Sequence, residues 1–168
     1  MTEDSKKILE LLDELHIEYE LMEHEECESM ADLEPYERAM DAKHCKDLFL
    51  QDRQGREFFL LLLEGCKKFR TAEVSKEIGR SRLSFGNAEK LAEYLHEVAG
   101  GINPLGLIHD SAHHVILLID KDLMNYEHIL FHPNDSRYSL KMRYSDFENV
   151  FLPHIGVKPI YITVSSYL

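Results

Sequence analysis

The 168-residue sequence predicts an α+β fold, in which a mixed and largely antiparallel sheet is surrounded by helices. Strand and helix patterns follow one another without the regular βαβ rhythm of a parallel sheet. Two apolar runs flank the turn-forming residues 52–55, as in a β-hairpin. The second run, Phe58–Leu63, is apolar at every position, which is typical of a central strand covered on both faces.

The N-terminal part of the chain predicts a helix, a strand and an irregular segment. Apolar residues at helical spacing follow Ser5, which we take as the N-cap of a helix ending near Leu15. Alternation over Ile17–Leu21 predicts a half-buried strand. Periodicity is lost between His24 and Cys45, where acidic residues accumulate. We therefore expect an irregular segment there, with a short helix over Tyr36–Met40, acting as a lid or specificity loop.

The central part predicts a hairpin followed by two helices. The first hairpin strand covers Leu48–Leu50. A short helix over Thr71–Ile78 is stopped by Gly79. Asn87 caps a second helix, which ends where Gly100 can adopt the left-handed conformation. The apolar face of this helix consists of Ala88, Leu91, Leu95 and Val98.

The C-terminal part predicts four strands and one helix, and we take residues 1–168 as one domain. The spacing of Ser145 and Glu148 is that of a capping box, so a helix is expected to begin there. A turn is expected at Pro133–Asp135. The strands are predicted over Val115–Ile119, Ile129–Phe131, Tyr138–Arg143 and Pro159–Val164.

Charge and composition restrict the class of protein. The formal net charge is −12, which disfavours a nucleic-acid partner, but almost all of it lies within residues 1–47. The segment Lys67–Arg82 is locally basic, and forms either a nucleic-acid contact or a solvated helix face. The apolar runs are too short to span a bilayer, and the start of the chain lacks a secretory pattern. With an odd number of cysteines, these features predict a cytoplasmic protein with free thiols.

Three stretches carry residues suited to chemistry. The segment VAGGINPLG, residues 98–106, presents backbone N–H groups with little side-chain cover, which suits an oxyanion or phosphate, although a plain helix stop has the same composition. Lys46 stands at the entrance of an apolar strand, where it meets either a phosphate or solvent. His132 ends a buried strand, where it either orients a polar substrate group or bonds to the turn backbone.

Other catalytic classes find little support. The cluster HDSAHH, with His109, His113 and His114, is the densest group of metal-ligand side chains, but it runs into a strand and matches no zinc-site spacing. No serine elbow, phosphate-binding Walker loop or dinucleotide fingerprint is present. None of the three cysteines lies in the setting of a known nucleophile. We therefore predict no metal and no cofactor.

Five segments, in this order and spacing, identify a resemblance: KDLFLQD, RLSFGNAEKL, GGINPLG, VILLIDKDL and FHPN. Together they resemble the prolyl-tRNA editing family (YbaK/ProX type), most closely its free-standing alanyl-tRNA(Pro) deacylases. The resemblance runs from about His16 to the C-terminus. It implies a compact domain with a mixed sheet. It also implies hydrolysis of the ester that joins a wrong amino acid to the 3′ adenosine of proline tRNA, without metal or covalent nucleophile.

The resemblance also implies roles for individual residues. The loop backbone would hold the aminoacyl carbonyl and terminal ribose, Lys46 would neutralise phosphate, and His132 would line a small pocket that admits alanine. A bound water would attack the ester, helped by the substrate's 2′-hydroxyl. Relatives commonly have asparagine where this chain has Asp47. The predicted catalytic residues are Lys46, Gly100 and Gly101, and the predicted substrate-binding residues are Ile102, Asn103, Pro104, His132 and Asn134.

The partner implied by the resemblance is tRNA(Pro) carrying a mismatched amino acid, with prolyl-tRNA synthetase as a second partner and no membrane. Within the basic segment, Lys67, Lys68 and Arg70 are predicted to contact the tRNA acceptor stem. Three alternatives stay open at this point. They are a preference for Cys-tRNA(Pro), a non-catalytic module that binds tRNA or protein, and a metal-dependent hydrolase built on His109–His114.

Overall fold

The computed structural model describes residues 1–165 and confirms the mixed α+β class. The helices are α1 (Glu3–Glu14), α2 (Met30–Met40), α3 (Thr71–Glu77) and α4 (Ala88–Leu95), with 3-10 turns over Pro104–His109 and Lys121–Asn125. A helical segment near the C-terminus comprises α5 (Tyr144–Asp146), a π-helical stretch (Phe147–Phe151) and α6 (Leu152–His154). The strands are β1 (Tyr19–Glu23), β2 (Lys43–His44), β3 (Lys46–Gln51), β4 (Phe58–Leu63), β5 (Ser84–Phe85), β6 (Val115–Asp120), β7 (His128–Phe131), β8 (Tyr138–Arg143) and β9 (Ile160–Ile162).

The strands form two sheets rather than the one that the sequence predicted. The first has the order β1-β8-β7-β2 and the second β5-β3-β4-β6-β9. Three neighbouring pairs are parallel, β2 with β7, β4 with β6 and β6 with β9, and the other pairs are antiparallel. Only Cys45 separates β2 in the first sheet from β3 in the second. The chain therefore crosses between the sheets within a single residue.

The predicted hairpin is confirmed, and β4 lies at the centre of the second sheet. All six of its residues are buried. Phe58, Leu60 and Leu62 pack into the main core, which also receives α1, α4 and the C-terminal helical segment. The alternate residues Phe59, Leu61 and Leu63 pack into a second core with Val74 of α3. Burial on both faces explains the unbroken apolar run.

Two helix starts differ from the sequence prediction. The N-cap of α1 is Thr2, whose side chain accepts from the Ser5 amide at 3.0 Å. Ser5 itself is buried inside the helix, where its hydroxyl donates to the Pro133 carbonyl. In the segment expected to be irregular, α2 runs for 11 residues and begins with a capping box between Ser29 and Asp32. The segment is therefore more ordered than its loss of periodicity predicted.

One helix end and one further helix start also differ from the sequence prediction. Helix α4 ends at His96, which adopts a left-handed φ of 57°, and not at Gly100. Val98, expected on its apolar face, is 72% exposed. The C-terminal helical segment begins at Tyr144 without a side-chain cap bond, so the Ser145 capping box does not form.

Within residues 1–165 no helix has the length and apolar character that a membrane span requires.

Candidate active site

A cleft of about 190 Å³ opens beside the crossing from β2 to β3. Four chain segments that are distant in sequence form its walls. They contribute Cys27, Glu28, Ser29, Met30 and Leu33; Cys45, Lys46 and Asp47; Gly100 and Ile102; and His132 and Ser136. The wall from the segment expected to act as a lid is thus the start of α2 and the residues before it. Its role as a lid stays a prediction.

The cleft gathers part of the predicted site. Lys46, Gly100, Ile102 and His132 line it together, although they are spread over most of the sequence. Gly101 is buried next to them and lies against Ser136. The structure therefore brings one predicted cation, the glycine loop and one predicted histidine to the same cavity.

Glu97 and Asn103 shape the glycine loop. The Glu97 carboxylate accepts from the Asn103 amide at 3.0 Å and from the Asn103 side chain at 2.8 Å. The Asn103 side chain in turn accepts from the Leu105 amide, which caps the following 3-10 turn. Asn103 and Pro104 are buried in this framework and do not line the cleft, contrary to the prediction that they bind substrate. They position the loop instead.

Two positions in this loop require glycine, each for a different structural reason. Gly100 has a φ of +90°, which side chains other than hydrogen rarely tolerate. At Gly106 an added Cβ would lie 2.3 Å from the Glu97 carboxylate and 2.6 Å from the Leu95 carbonyl oxygen. Gly106 therefore permits the close approach on which the Glu97–Asn103 contact depends.

Asn134 is also a structural residue rather than a cleft residue. Its side-chain amide donates to the carbonyl oxygens of Leu95 and His96, at 3.1 and 3.0 Å, and satisfies the C-terminal end of α4. Its side-chain oxygen accepts from His109 at 3.3 Å. The predicted direct contact of Asn134 with substrate is not supported by this placement.

His132 belongs to a group of buried histidines behind the cleft. Its Nδ1 donates to the Tyr138 carbonyl at 2.8 Å, and its ring stacks on His44 with centroids 5.0 Å apart. His24 and His44 both bond to the Ser139 hydroxyl, at 2.7 and 2.9 Å. Burial lowers the pKa of His132, so its ring is neutral near pH 7 and Nε2 carries a lone pair.

The proton positions in this group follow from its hydrogen bonds. His24 Nδ1 donates to the Glu25 carbonyl, so in the neutral ring His24 Nε2 accepts from the Ser139 hydroxyl. Ser139 then accepts from His44 Nε2, and His44 Nδ1 makes no hydrogen bond but lies 3.4 Å from the buried Glu37 carboxylate. Burial, followed by the neighbouring charges of His132 and His24, lowers the pKa of His44 to about 3.

Lys46 and Lys67 have different environments. The Lys46 ammonium is half-buried and donates to the Lys67 carbonyl at 2.5 Å. The Lys67 side chain is 1% exposed and forms ion pairs with Asp120 at 3.0 Å and Asp122 at 2.6 Å. It also donates to the Val164 carbonyl. The prediction that Lys67 contacts tRNA is wrong, because its charge is buried and paired; Lys68 and Arg70 are exposed.

Asp47 places a carboxyl group in the cleft without a protein partner. Its Oδ1 is buried and accepts no hydrogen bond from residues 1–165. Burial raises the pKa of Asp47 well above its ordinary value. Burial also raises the pKa of Glu97, and the negative charge of Asp47 adds to that effect. The two acids are therefore close enough for the charge of one to affect the pKa of the other.

The thiols do not have the character of nucleophiles. Burial raises the pKa of Cys27 and, more strongly, that of Cys45. A hydrogen bond to the Glu64 carboxylate raises the pKa of Cys66. Reactive cysteines instead have a lowered pKa, because the thiolate is the attacking species.

The histidine cluster predicted as an alternative metal site does not assemble. His114 stacks on Tyr94 and lies 3.4 Å from Asp110, whereas His109 lies beside His96 and Asp4. The His96 and His109 rings are 3.9 Å apart and inclined by 6°. The candidate ligand atoms of Asp4, His96 and His109 lie within 4.8 Å of one another, so this group, and not His109–His114, has the spacing of a metal site. His96 Nδ1 lies 3.2 Å from the Asp4 carboxylate.

Residues 24–150 match the family described as aminoacyl-tRNA editing domain. The chain is 30% identical over 151 residues to the prolyl-tRNA editing protein ProX of Acetoanaerobium sticklandii, covering 89% of this chain and 92% of that protein. It is 27% identical to the prolyl-tRNA synthetase associated domain-containing protein 1 of Xenopus laevis, covering 94% of this chain and 95% of that protein.

A solved structure of similar fold is described as a candidate trans-editing enzyme for prolyl-tRNA synthetase. It has a TM-score of 0.70 and 16% identity, over 98% of this chain and 99% of that chain. A second structure, of the hypothetical protein APE2540, has a TM-score of 0.70 and 14% identity, over 93% of this chain and 98% of that chain. At these identities the likeness concerns the fold.

Proposed function

This chain belongs to the aminoacyl-tRNA editing domain family and is an aminoacyl-tRNA deacylase of the prolyl-tRNA editing type, and from that premise we propose that it hydrolyses Ala-tRNA(Pro) in trans. A water molecule attacks the aminoacyl ester without a metal or a covalent enzyme intermediate. The observation that carries this proposal is the meeting of Lys46, the glycine loop and His132 in one small cleft. Proline tRNA is the substrate class named for the relative from Acetoanaerobium sticklandii.

The glycine loop would stabilise the negative charge that develops on the ester oxygen. Within residues 1–165 the backbone amides of Gly100 and Ile102 donate no hydrogen bond, and both residues line the cleft. Amides held in place before the reaction stabilise an oxyanion without further reorganisation. The Glu97–Asn103 contact supplies the rigidity that such a role requires.

Lys46 would bind the phosphate next to the terminal adenosine. Its ammonium uses one N–H for the Lys67 carbonyl, so two remain for phosphate oxygens. The bond to the carbonyl also fixes the side chain, and this reduces the entropy lost on binding.

His132 would form a polar side of the amino-acid pocket. Its pKa is lowered by burial, so it acts as a neutral ring that accepts a hydrogen bond through Nε2. No thiol in the cleft has a lowered pKa. The 2′-hydroxyl of the substrate is therefore the best placed group to assist the attacking water.

Apolar side chains would set the size limit for the amino acid. Met30, Leu33 and Ile102 line the cleft and restrict its width. A hydrophobic pocket separates side chains that differ by one methylene by roughly 10–200-fold. We expect this limit to admit alanine and to exclude the proline ring.

The test is deacylation of alanyl-, cysteinyl- and prolyl-tRNA(Pro) with chelator present, by wild type and Lys46→Ala. We expect rapid loss of alanine, survival of the prolyl ester and a decrease of about 100-fold for Lys46→Ala. Lys158→Ala, which changes an exposed lysine outside the cleft, is the matched control and should keep full activity.

Other outcomes would contradict the proposal in distinguishable ways. Faster hydrolysis of the cysteinyl ester than of the alanyl ester would make Cys-tRNA(Pro) the preferred substrate. Survival of all three esters with retained tRNA binding would indicate a binding module. Inhibition by chelator would indicate a metal-dependent reaction.

A further inference from the structure

We propose that Asp47 is the binding site for the α-ammonium group of the substrate, so that the enzyme acts only on esters whose amino group is free and charged. This inference rests on the proposed function, since it concerns the same cleft. Its consequence is a restriction on substrate class. An aminoacyl ester is accepted, whereas an N-acylated ester, including a peptidyl ester, is not.

The position of Asp47 carries the first step of the argument. It is the second residue of β3 and lines the cleft with Gly100, Ile102 and His132. Side chains alternate along a strand, so Asp47 lies on the face of Phe49, which packs in the main core. Lys46 lies on the opposite face, and its ammonium donates to the Lys67 carbonyl. The lysine that precedes Asp47 therefore does not pair with its carboxyl group.

The missing partner carries the second step. Within residues 1–165 Asp47 forms no ion pair, and its buried Oδ1 accepts no hydrogen bond. Buried polar atoms in native proteins almost always have a partner, and an exception next to a cavity points to a group that enters the cavity. The nearby acid Glu97 already accepts two hydrogen bonds from Asn103.

The chemistry of the substrate supplies the third step. A compact cation with several N–H donors fits this unpartnered carboxyl group, because a cation favours the ionised form that burial disfavours. The α-ammonium of an aminoacyl ester has three, and it lies about 2.5 Å from the carbonyl carbon by standard bond lengths. If the loop at Gly100–Ile102 holds the carbonyl, the ammonium falls within the same cleft as Asp47. N-acylation removes both the charge and the donors.

The experiment compares Ala-tRNA(Pro) with N-acetyl-Ala-tRNA(Pro) by kcat/KM. Wild type is expected to prefer the free amine by about 100-fold. Asp47→Asn keeps the side-chain size and is expected to reduce that preference below about 10-fold, chiefly through slower hydrolysis of the free amine. The matched control is Glu10→Gln, which removes an exposed carboxylate of α1 outside the cleft and should keep the preference. Thermal unfolding of each variant checks that the fold is intact.

Equal rates on both esters by wild type, or an unchanged preference in Asp47→Asn, would overturn the inference while leaving the deacylase function in place. If wild type hydrolyses neither ester, the proposed function fails. The role of Asp47 in binding the ammonium group is then tested by ligand binding alone. The probes are 3′-deoxy-3′-(alanylamino)adenosine and its N-acetyl derivative, measured by calorimetry. Tighter binding of the free amine that Asp47→Asn abolishes supports the inference. Equal binding of the two probes, or no binding of either, overturns it.

Discussion

Replacing His44 by glutamine tests the buried histidine group behind the cleft. His44 is neutral in the folded protein, because burial and the adjacent histidines lower its pKa to about 3. His44→Gln keeps an N–H that can donate to Ser139, as His44 Nε2 does, but removes the titrating group. The variant should therefore change the pH dependence of stability more than stability at neutral pH.

The sign and size of the effect follow from the two pKa values. The unfolded chain takes up a proton at His44 near pH 6.5, whereas the folded chain does not until about pH 3. The free energy of unfolding therefore falls as the pH falls below 6.5. Between pH 7.5 and pH 5.0 this group removes about 2 kcal/mol of stability. His44→Gln should lose about 2 kcal/mol less than wild type over the same range.

The assay is urea unfolding followed by circular dichroism at pH 7.5, 6.5 and 5.0. Other groups also titrate, because the pKa of His132 is lowered while those of Asp47 and Glu97 are raised. The difference between wild type and variant removes the contributions of Asp47 and Glu97 and reports on His44 together with its coupling to His132 and His24. His113→Gln, at an exposed position, is the control. Parallel pH profiles for wild type and His44→Gln would refute the reasoning.

Four further variants separate positions that stabilise the fold from positions that do not. Lys67→Met should lower the free energy of unfolding by about 3–5 kcal/mol in urea, because it leaves Asp120 buried without its cation, and an unchanged stability would contradict the buried pair. Lys68→Glu should instead keep its melting temperature and weaken tRNA binding with a shallower salt dependence, which unchanged filter binding would refute. Gly106→Ala should destabilise by about 1–3 kcal/mol, because its Cβ meets Glu97 and Leu95. Gly101→Ala, with no atom nearer than 3.7 Å, should melt like wild type.

The elements predicted best are those whose composition reflects burial directly. β4 is apolar at every position because both of its faces pack against a core, and this is readable without knowing the partners. The end of α4 could not be predicted from the sequence. His96 holds a left-handed conformation where Asn134, 38 residues further along, satisfies the last carbonyl groups. A contact over that separation leaves no local signal.

The same limit applies to the site. Lys46, Gly100 and His132, which the family resemblance predicted for the site, line one cleft, but the resemblance did not separate residues that line the cavity from those that support it, such as Asn103. Charge patterning predicted that Lys67 is exposed, because its partners Asp120 and Asp122 are more than 50 residues away in the sequence. The residues missed altogether are the buried polar ones, His24, His44, Ser139 and Glu97, which only strand pairing and loop closure bring together.

Because the four walls of the cleft lie far apart in the sequence, the cleft depends on most of the chain. The walls begin at Cys27 and end at Ser136, and the chain passes between the two sheets at Cys45 in the middle of the cavity. A fragment that begins after Leu33 or ends before His132 would lack one of the four walls. Deacylation therefore reports on cooperative folding of the whole chain, and a genetic screen for lost activity would recover destabilised variants far from the cavity beside those within it.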